Sequence, residues 1–240
     1  MKRLLLAIAL LAGSGSTYAA ACVNATLSDY LALGSGGCTI AGNTLAGFTA
    51  TSVLTGATTI DAANVSVTAV NGPGGFGLDF TLASGAPNST GPFGLFDLLL
   101  GYTVSGSRLI GASLGLGANT VSGDAAIVAL ADICVDGNFA SYLFNGSASC
   151  NGGQSATLIT ASIDSFAVDS DAAAFSIASF FDIFVELTLD GASAGNALLT
   201  GPVSTRFSVP EPSSLALMML AVVGLGSART RRRVALAAPR

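Results

Sequence analysis

Ten consecutive residues, Phe181-Asp182-Ile183-Phe184-Val185-Glu186-Leu187-Thr188-Leu189-Asp190, alternate an apolar side chain with a mostly polar one. A period of two places every second residue on one face of a strand, whereas a helix would spread the same residues around its axis. Phe181, Ile183, Val185, Leu187 and Leu189 form the apolar face; Asp182, Glu186, Thr188 and Asp190 form a face expected to meet solvent, with Phe184 as its exception. The same period recurs in Val65–Ala69, Leu78–Leu82, Leu98–Val104 and Ile159–Asp164. Turn-forming clusters at Asn71–Gly75, Gly85–Asn88 and Asn151–Gly153 fall between these runs. Short strands separated by Gly-rich turns predict an all-β fold, a single antiparallel β-sandwich of jelly-roll-like type. One short helix is expected, with Thr26 as its N-cap, Asp29 in the first turn, Leu27, Tyr30 and Leu31 on one side, and Gly34 as its stop. Ala and Gly dominate residues 107–132, where neither period prevails, and no fixed-period repeat is visible.

Charge narrows the function classes. Only 10% of the 240 residues are charged, against roughly a quarter in an ordinary soluble domain. Between residues 22 and 212 the only cations are Arg108 and Arg206, set against all fourteen acids, a formal balance of −12. Nucleic-acid binding is excluded, because neutralising phosphates takes clustered Lys and Arg. The chain holds no His and no Trp, and its one Lys is Lys2. Triads that need His therefore fail, and a Ser-Lys pair fails once Lys2 is removed with a leader. Paired carboxylates stay open by composition, but the lack of Trp argues against a glycosidase. The chain is expected not to be an enzyme and to carry no cofactor or metal. Asp169-Ser170-Asp171 lacks the Gly and the closing Glu of a calcium loop and is expected to be a solvated turn. Gly72-Pro73-Gly74-Gly75-Phe76-Gly77 lacks the Lys of a phosphate loop and is likewise a turn.

Both ends are apolar. Met1-Lys2-Arg3, the run Leu4–Ala12 and the small residues Ala19-Ala20-Ala21 have the order of a secretory signal peptide over residues 1–21, cut near Ala19 or Ala21 by signal peptidase. An uncleaved anchor helix and a lipoprotein acylated at Cys22 are the competing readings. Gly13–Ser16 interrupts the run before it reaches spanning length, and no Leu stands three residues before Cys22. At the other end, Pro210-Glu211-Pro212 precedes an uncharged stretch at about 213–228, then Arg229, Arg231, Arg232 and Arg233, then a short tail at 234–240. A helix over that stretch would rise about 24 Å, slightly short of a roughly 30 Å hydrocarbon core, and snorkelling arginines could close the difference. The arginines would hold their side in the cytoplasm, as a stop-transfer cluster does.

The ordered triple of Pro210-Glu211-Pro212, short apolar helix and arginine cluster resembles the PEP-CTERM sorting signal of Gram-negative bacteria. The resemblance covers about 30 residues, 206–233, and leaves the ectodomain, residues 22–205, to be read on its own. It implies recognition by an exosortase, a membrane-embedded transpeptidase-like enzyme. It also implies an exported protein, first tethered at the inner membrane and then at the cell surface or in the extracellular matrix, with exopolysaccharide as a further partner. The tail at 234–240 departs from the pattern, which usually stops near the basic cluster. An ordinary C-terminal anchor would share the topology without needing Pro-Glu-Pro.

The cysteines are Cys22, Cys38, Cys134 and Cys150, so each consecutive outer pair is separated by the same interval of 16. In an exported chain an even cysteine count favours disulfides, and the matched spacing favours two local bridges among three possible pairings. Zinc lacks both a Cys-x-x-Cys pair and a His. Two function classes remain: a structural or adhesive surface protein of the exopolysaccharide or biofilm matrix, or a displayed module that binds polysaccharide or calcium.

Overall fold

The computed structural model describes residues 19–55, 61–83, 89–140, 149–151, 153–164 and 166–210. In chain order the strands are β1 (Ala20–Ala21), β2 (Ala25–Thr26), β3 (Cys38–Ile40), β4 (Asn43–Thr55), β5 (Val65–Gly72), β6 (Gly75–Leu82), β7 (Ser89–Thr90), β8 (Leu95–Leu116) and β9 (Asn119–Ser122). They continue with β10 (Ala126–Val135), β11 (Ser155–Ile163), β12 (Phe166–Val168), β13 (Ser170–Asp190), β14 (Asn196–Leu199) and β15 (Val203–Ser208). One helix of six residues, α1 (Leu27–Ala32), precedes β3.

Two long strands organise this mostly antiparallel architecture. β8 and β13 pair along nearly their whole lengths, and both are interrupted near the middle. In β8 the interruption is Arg108, held at a φ of 68°; in β13 the register shifts between Ala174 and Ala178 and again between Ala178 and Phe180. Each strand thereby serves two layers. In the first, β4, the early half of β8, the late half of β13, β10 and β11 pair in that order. In the second, the early half of β13, the late half of β8, β15, β6, β5 and β2 follow one another. β7, β14 and β9 form a separate three-stranded sheet.

The layers meet through aromatic side chains. Tyr102 of the first layer packs 6.3 Å from Phe207 and 6.2 Å from Phe80 of the second, and Phe181 packs 6.1 Å from Phe207. The alternating face of β13 forms this core: Phe181, Ile183, Val185, Leu187 and Leu189 are all buried, each worth about 1.5–3 kcal/mol relative to exposure. Beside the core, α1 begins with a reciprocal cap. Thr26 Oγ1 accepts from the Asp29 amide at 3.3 Å, and Asp29 Oδ2 accepts from the Thr26 amide at 3.0 Å. The Thr26 hydroxyl also donates to Asp29 Oδ2 at 2.7 Å, and this bond, followed by that from the Thr26 amide, holds the Asp29 carboxyl below its usual range. Gly34, at a φ of 56°, lies just beyond the helix C-cap Leu33.

Several expectations are refined. Residues 107–132 are the end of β8, all of β9 and the start of β10; their Ala and Gly side chains give little hydrophobic contrast, so pairing with β13 and β15 defines the strands. Asp169-Ser170-Asp171 is not a free turn. Ser170 and Asp171 open β13, and Asp171 Oδ2 accepts from the Ile159 amide at 3.0 Å. The turn expected at Gly85–Asn88 lies outside the described residues, as do residues 1–18 of the signal peptide expected over 1–21 and the apolar stretch at 213–228. Among the described residues, no helix is long and apolar enough to cross a membrane.

Candidate functional site

The last strand of the fold runs directly into the Pro-Glu-Pro segment. β15 is an interior strand, bonded to β8 on one side and β6 on the other, and its ladder continues through Ser208, which pairs with Gly111. The folded unit therefore extends beyond residue 205, because Phe207 fills a core position against Phe76 at 5.6 Å. On the opposite face, Arg206 is fixed by three acceptors: Asp79 Oδ1 at 2.6 Å, the Leu78 carbonyl at 3.1 Å and the Thr205 carbonyl at 2.9 Å. Ser204 Oγ donates to the same Asp79 oxygen at 2.6 Å. Val209 is 38% exposed and Pro210 half-buried. Pro210 has no amide hydrogen, so a ladder cannot gain a donor there. Glu211 and Pro212 lie outside the described residues, as do Arg229, Arg231, Arg232 and Arg233.

Both disulfides form between local partners. Cys22 is bonded to Cys38 and Cys134 to Cys150, each pair 16 residues apart. The first ties the chain ahead of α1 to β3, and the second fastens the end of β10 to the segment leading into β11. Among the described residues there is no free cysteine.

The outer face of β13 differs from the solvated surface that its sequence suggests. Glu186 is only 6% exposed, and its register neighbours are Leu99 of β8 and Leu130 of β10. Phe184 is covered by Phe139 at a ring distance of 5.3 Å. Burial pushes the Asp182 carboxyl up, although the Phe139 amide donates to it at 2.9 Å. Nearby acids each have a separate donor: Thr188 Oγ1 bonds Asp97 at 2.6 Å, and Thr157 Oγ1 bonds Asp132 at 2.5 Å. Alternation identified which residues share this face but gave no signal of what lies over it. Among the described residues, no group of three acidic, Cys or His side chains is arranged to hold a metal ion.

At the C-terminal junction an antiparallel β domain with two disulfides passes straight into the Pro-Glu-Pro segment. Residues 208–233 match the PEP-CTERM protein-sorting motif. The chain carries this motif at its C-terminal end, and the motif is of the kind that exosortase recognises. No curated protein matches the chain. Among solved structures it is similar to TmCBM61 in complex with beta-1,4-galactotriose, with 9% identity, coverage of 68% of this chain and 88% of that one, and a TM-score of 0.28.

Proposed function

We propose that this chain is an exported precursor, tethered in the inner membrane by residues 213–228, released or transferred by an exosortase, and retained at the cell surface or in the exopolysaccharide matrix in a structural or adhesive role. The observation that carries this reading is the PEP-CTERM match over residues 208–233, which begins at the last residue of the last strand. Its parts divide the work. The apolar stretch and arginines hold the precursor in the bilayer, Pro210-Glu211-Pro212 offers an extended backbone that an enzyme can grip, and the β-sandwich ahead of them is the cargo. The role of the cargo is non-enzymatic: the chain holds no His, and on the outer face Asp97, Asp132 and Asp182 each accept from a hydroxyl or amide donor.

Replacing Pro210, Glu211 and Pro212 together by Ala tests the sorting role. The variant should accumulate as a membrane-retained precursor of unprocessed mass, while the native chain is converted. Identical processing of both chains would refute the proposal. Whether the cargo also binds a ligand is tested by melting the purified domain with calcium or with extracted exopolysaccharide, since a native-state ligand must raise the midpoint. The structural reading expects no shift with calcium.

A further inference from the structure

We infer that one end of the β domain, marked by Arg108 and Ile177, rests against anionic phospholipid headgroups while the chain is tethered. This rests on the tether proposed above and adds which surface meets the membrane. β15 runs toward the Arg108 end of the molecule: Val203 pairs with Leu116, and Ser208 pairs with Gly111. Arg108 lies three residues from Gly111, beside Leu109, which pairs with Ala178 of β13. Ile177 adjoins that pair and is 63% exposed. Pro210, two residues beyond Ser208, therefore leaves the domain at the same end as Arg108 and Ile177.

The tether is too short to allow free choice of orientation. Three residue steps separate Pro210 from Ser213, the first residue of the uncharged stretch, and an extended chain covers only about 10 Å in that distance. Ser208 is fixed in an interior strand, so the slack cannot come from the fold.

Charge points the same way. Among the described residues the one ion pair joins Arg206 to Asp79, which leaves Arg108 as an exposed, uncommitted cation. Asp136 lies at the Arg108 end, where its carboxylate accepts from the Ser179 and Phe180 amides, and the opposite end carries more acids. Asp190 pairs with Ala126 and Leu95; Asp124 lies in the turn before β10; Asp164 lies between β11 and β12; and the Asp169 carbonyl accepts from Leu116. An anionic surface attracts Arg108 and repels these carboxylates. Arg108 sits at a φ of 68°, a conformation that glycine adopts without the Cβ penalty, so Arg108→Gly removes the charge without straining the fold. A single cation and one isoleucine would not hold a free domain on a membrane, but the tether supplies a high local concentration.

The test uses the full chain in vesicles of phosphatidylcholine, with and without phosphatidylglycerol, after the native bridges have formed. Ile177→Cys and Phe166→Cys carry the same fluorophore in separate preparations. Phe166 is 61% exposed and pairs with Ile163 at the acidic end. Headgroup-nitroxide lipid should quench the label at 177 several-fold more than the label at 166, and more strongly with phosphatidylglycerol. Arg108→Gly should abolish the phosphatidylglycerol dependence while leaving the melting midpoint unchanged or raised. Equal quenching at 177 and 166, in chain that floats with the vesicles, overturns the orientation and leaves the tether standing. Chain that fails to float overturns both.

Discussion

The phenol oxygen of Tyr102 lies 2.7 Å from Thr205 Oγ1, a buried hydrogen bond that joins the two layers across 103 residues of sequence. Thr205 Oγ1 also lies 3.3 Å from the Leu78 carbonyl, which can only accept. The threonine therefore gives its hydrogen to Leu78 and accepts from Tyr102. Burial pushes the phenol far above its usual range, so it stays protonated and remains a donor.

That direction ranks the variants. Tyr102→Phe removes a donor and leaves Thr205 bonded to Leu78, at a cost of about 1 kcal/mol; Thr205→Val strands the buried phenol, while the Leu78 carbonyl keeps its Arg206 donor, at a cost of about 1–3 kcal/mol. The double variant should be less destabilised than the sum of the two. Urea denaturation of all four proteins reads the coupling, and strict additivity would contradict a direct bond.

Gly101 is required by its surroundings. A Cβ there would lie 2.7 Å from Cε1 of Phe184, whose ring packs against Phe139. Gly101→Val should displace the ring and cost about 1–3 kcal/mol through overpacking. Phe184→Ala in the same background should relieve part of this clash, as measured by the midpoint relative to Phe184→Ala alone.

The two disulfides should contribute separately. Each bridges a separation of 16 residues, for which chain-entropy arguments give about 3 kcal/mol. Replacing Cys22 and Cys38 by Ser, or Cys134 and Cys150 by Ser, should each lower the unfolding free energy by that order. Non-reducing peptide maps should show the other bridge unchanged in either variant.

The pH dependence has two limbs of opposite sign. Asp124 accepts from the Ser193 hydroxyl, from the Ala194 amide at 2.9 Å and from the Ser193 amide at 3.1 Å, which lowers its carboxyl to about 2. The stability gained from this lowering is present above the unfolded value near 3.8 and is lost as pH falls toward 2. Asp124→Asn should remove that part of the acid limb. Asp182 is raised by burial, so its ionisation opposes folding as pH rises through and above 3.8. Asp182→Asn should therefore flatten the loss on that side, as read from denaturation midpoints across pH 2 to 7.

Local features could be read from neighbouring residues alone. The alternation at 181–190 required a strand with an apolar face, Thr26 and Asp29 required a capped helix start, and the equal cysteine intervals favoured the pairs that form. The order of Pro-Glu-Pro, apolar stretch and arginines marked the sorting signal without reference to any fold. These features were legible because each is written in residues close together in the chain. Long-range pairing settled that Glu186 is buried beside Leu99 and Leu130 in register, that the Ala- and Gly-rich stretch continues the sheet, and that Arg108 shares an end of the molecule with the chain exit. A period of two assigns residues to a face but is silent about what packs over it. Those outcomes follow from pairings between strands far apart in sequence, where backbone hydrogen bonds and core packing choose the partners.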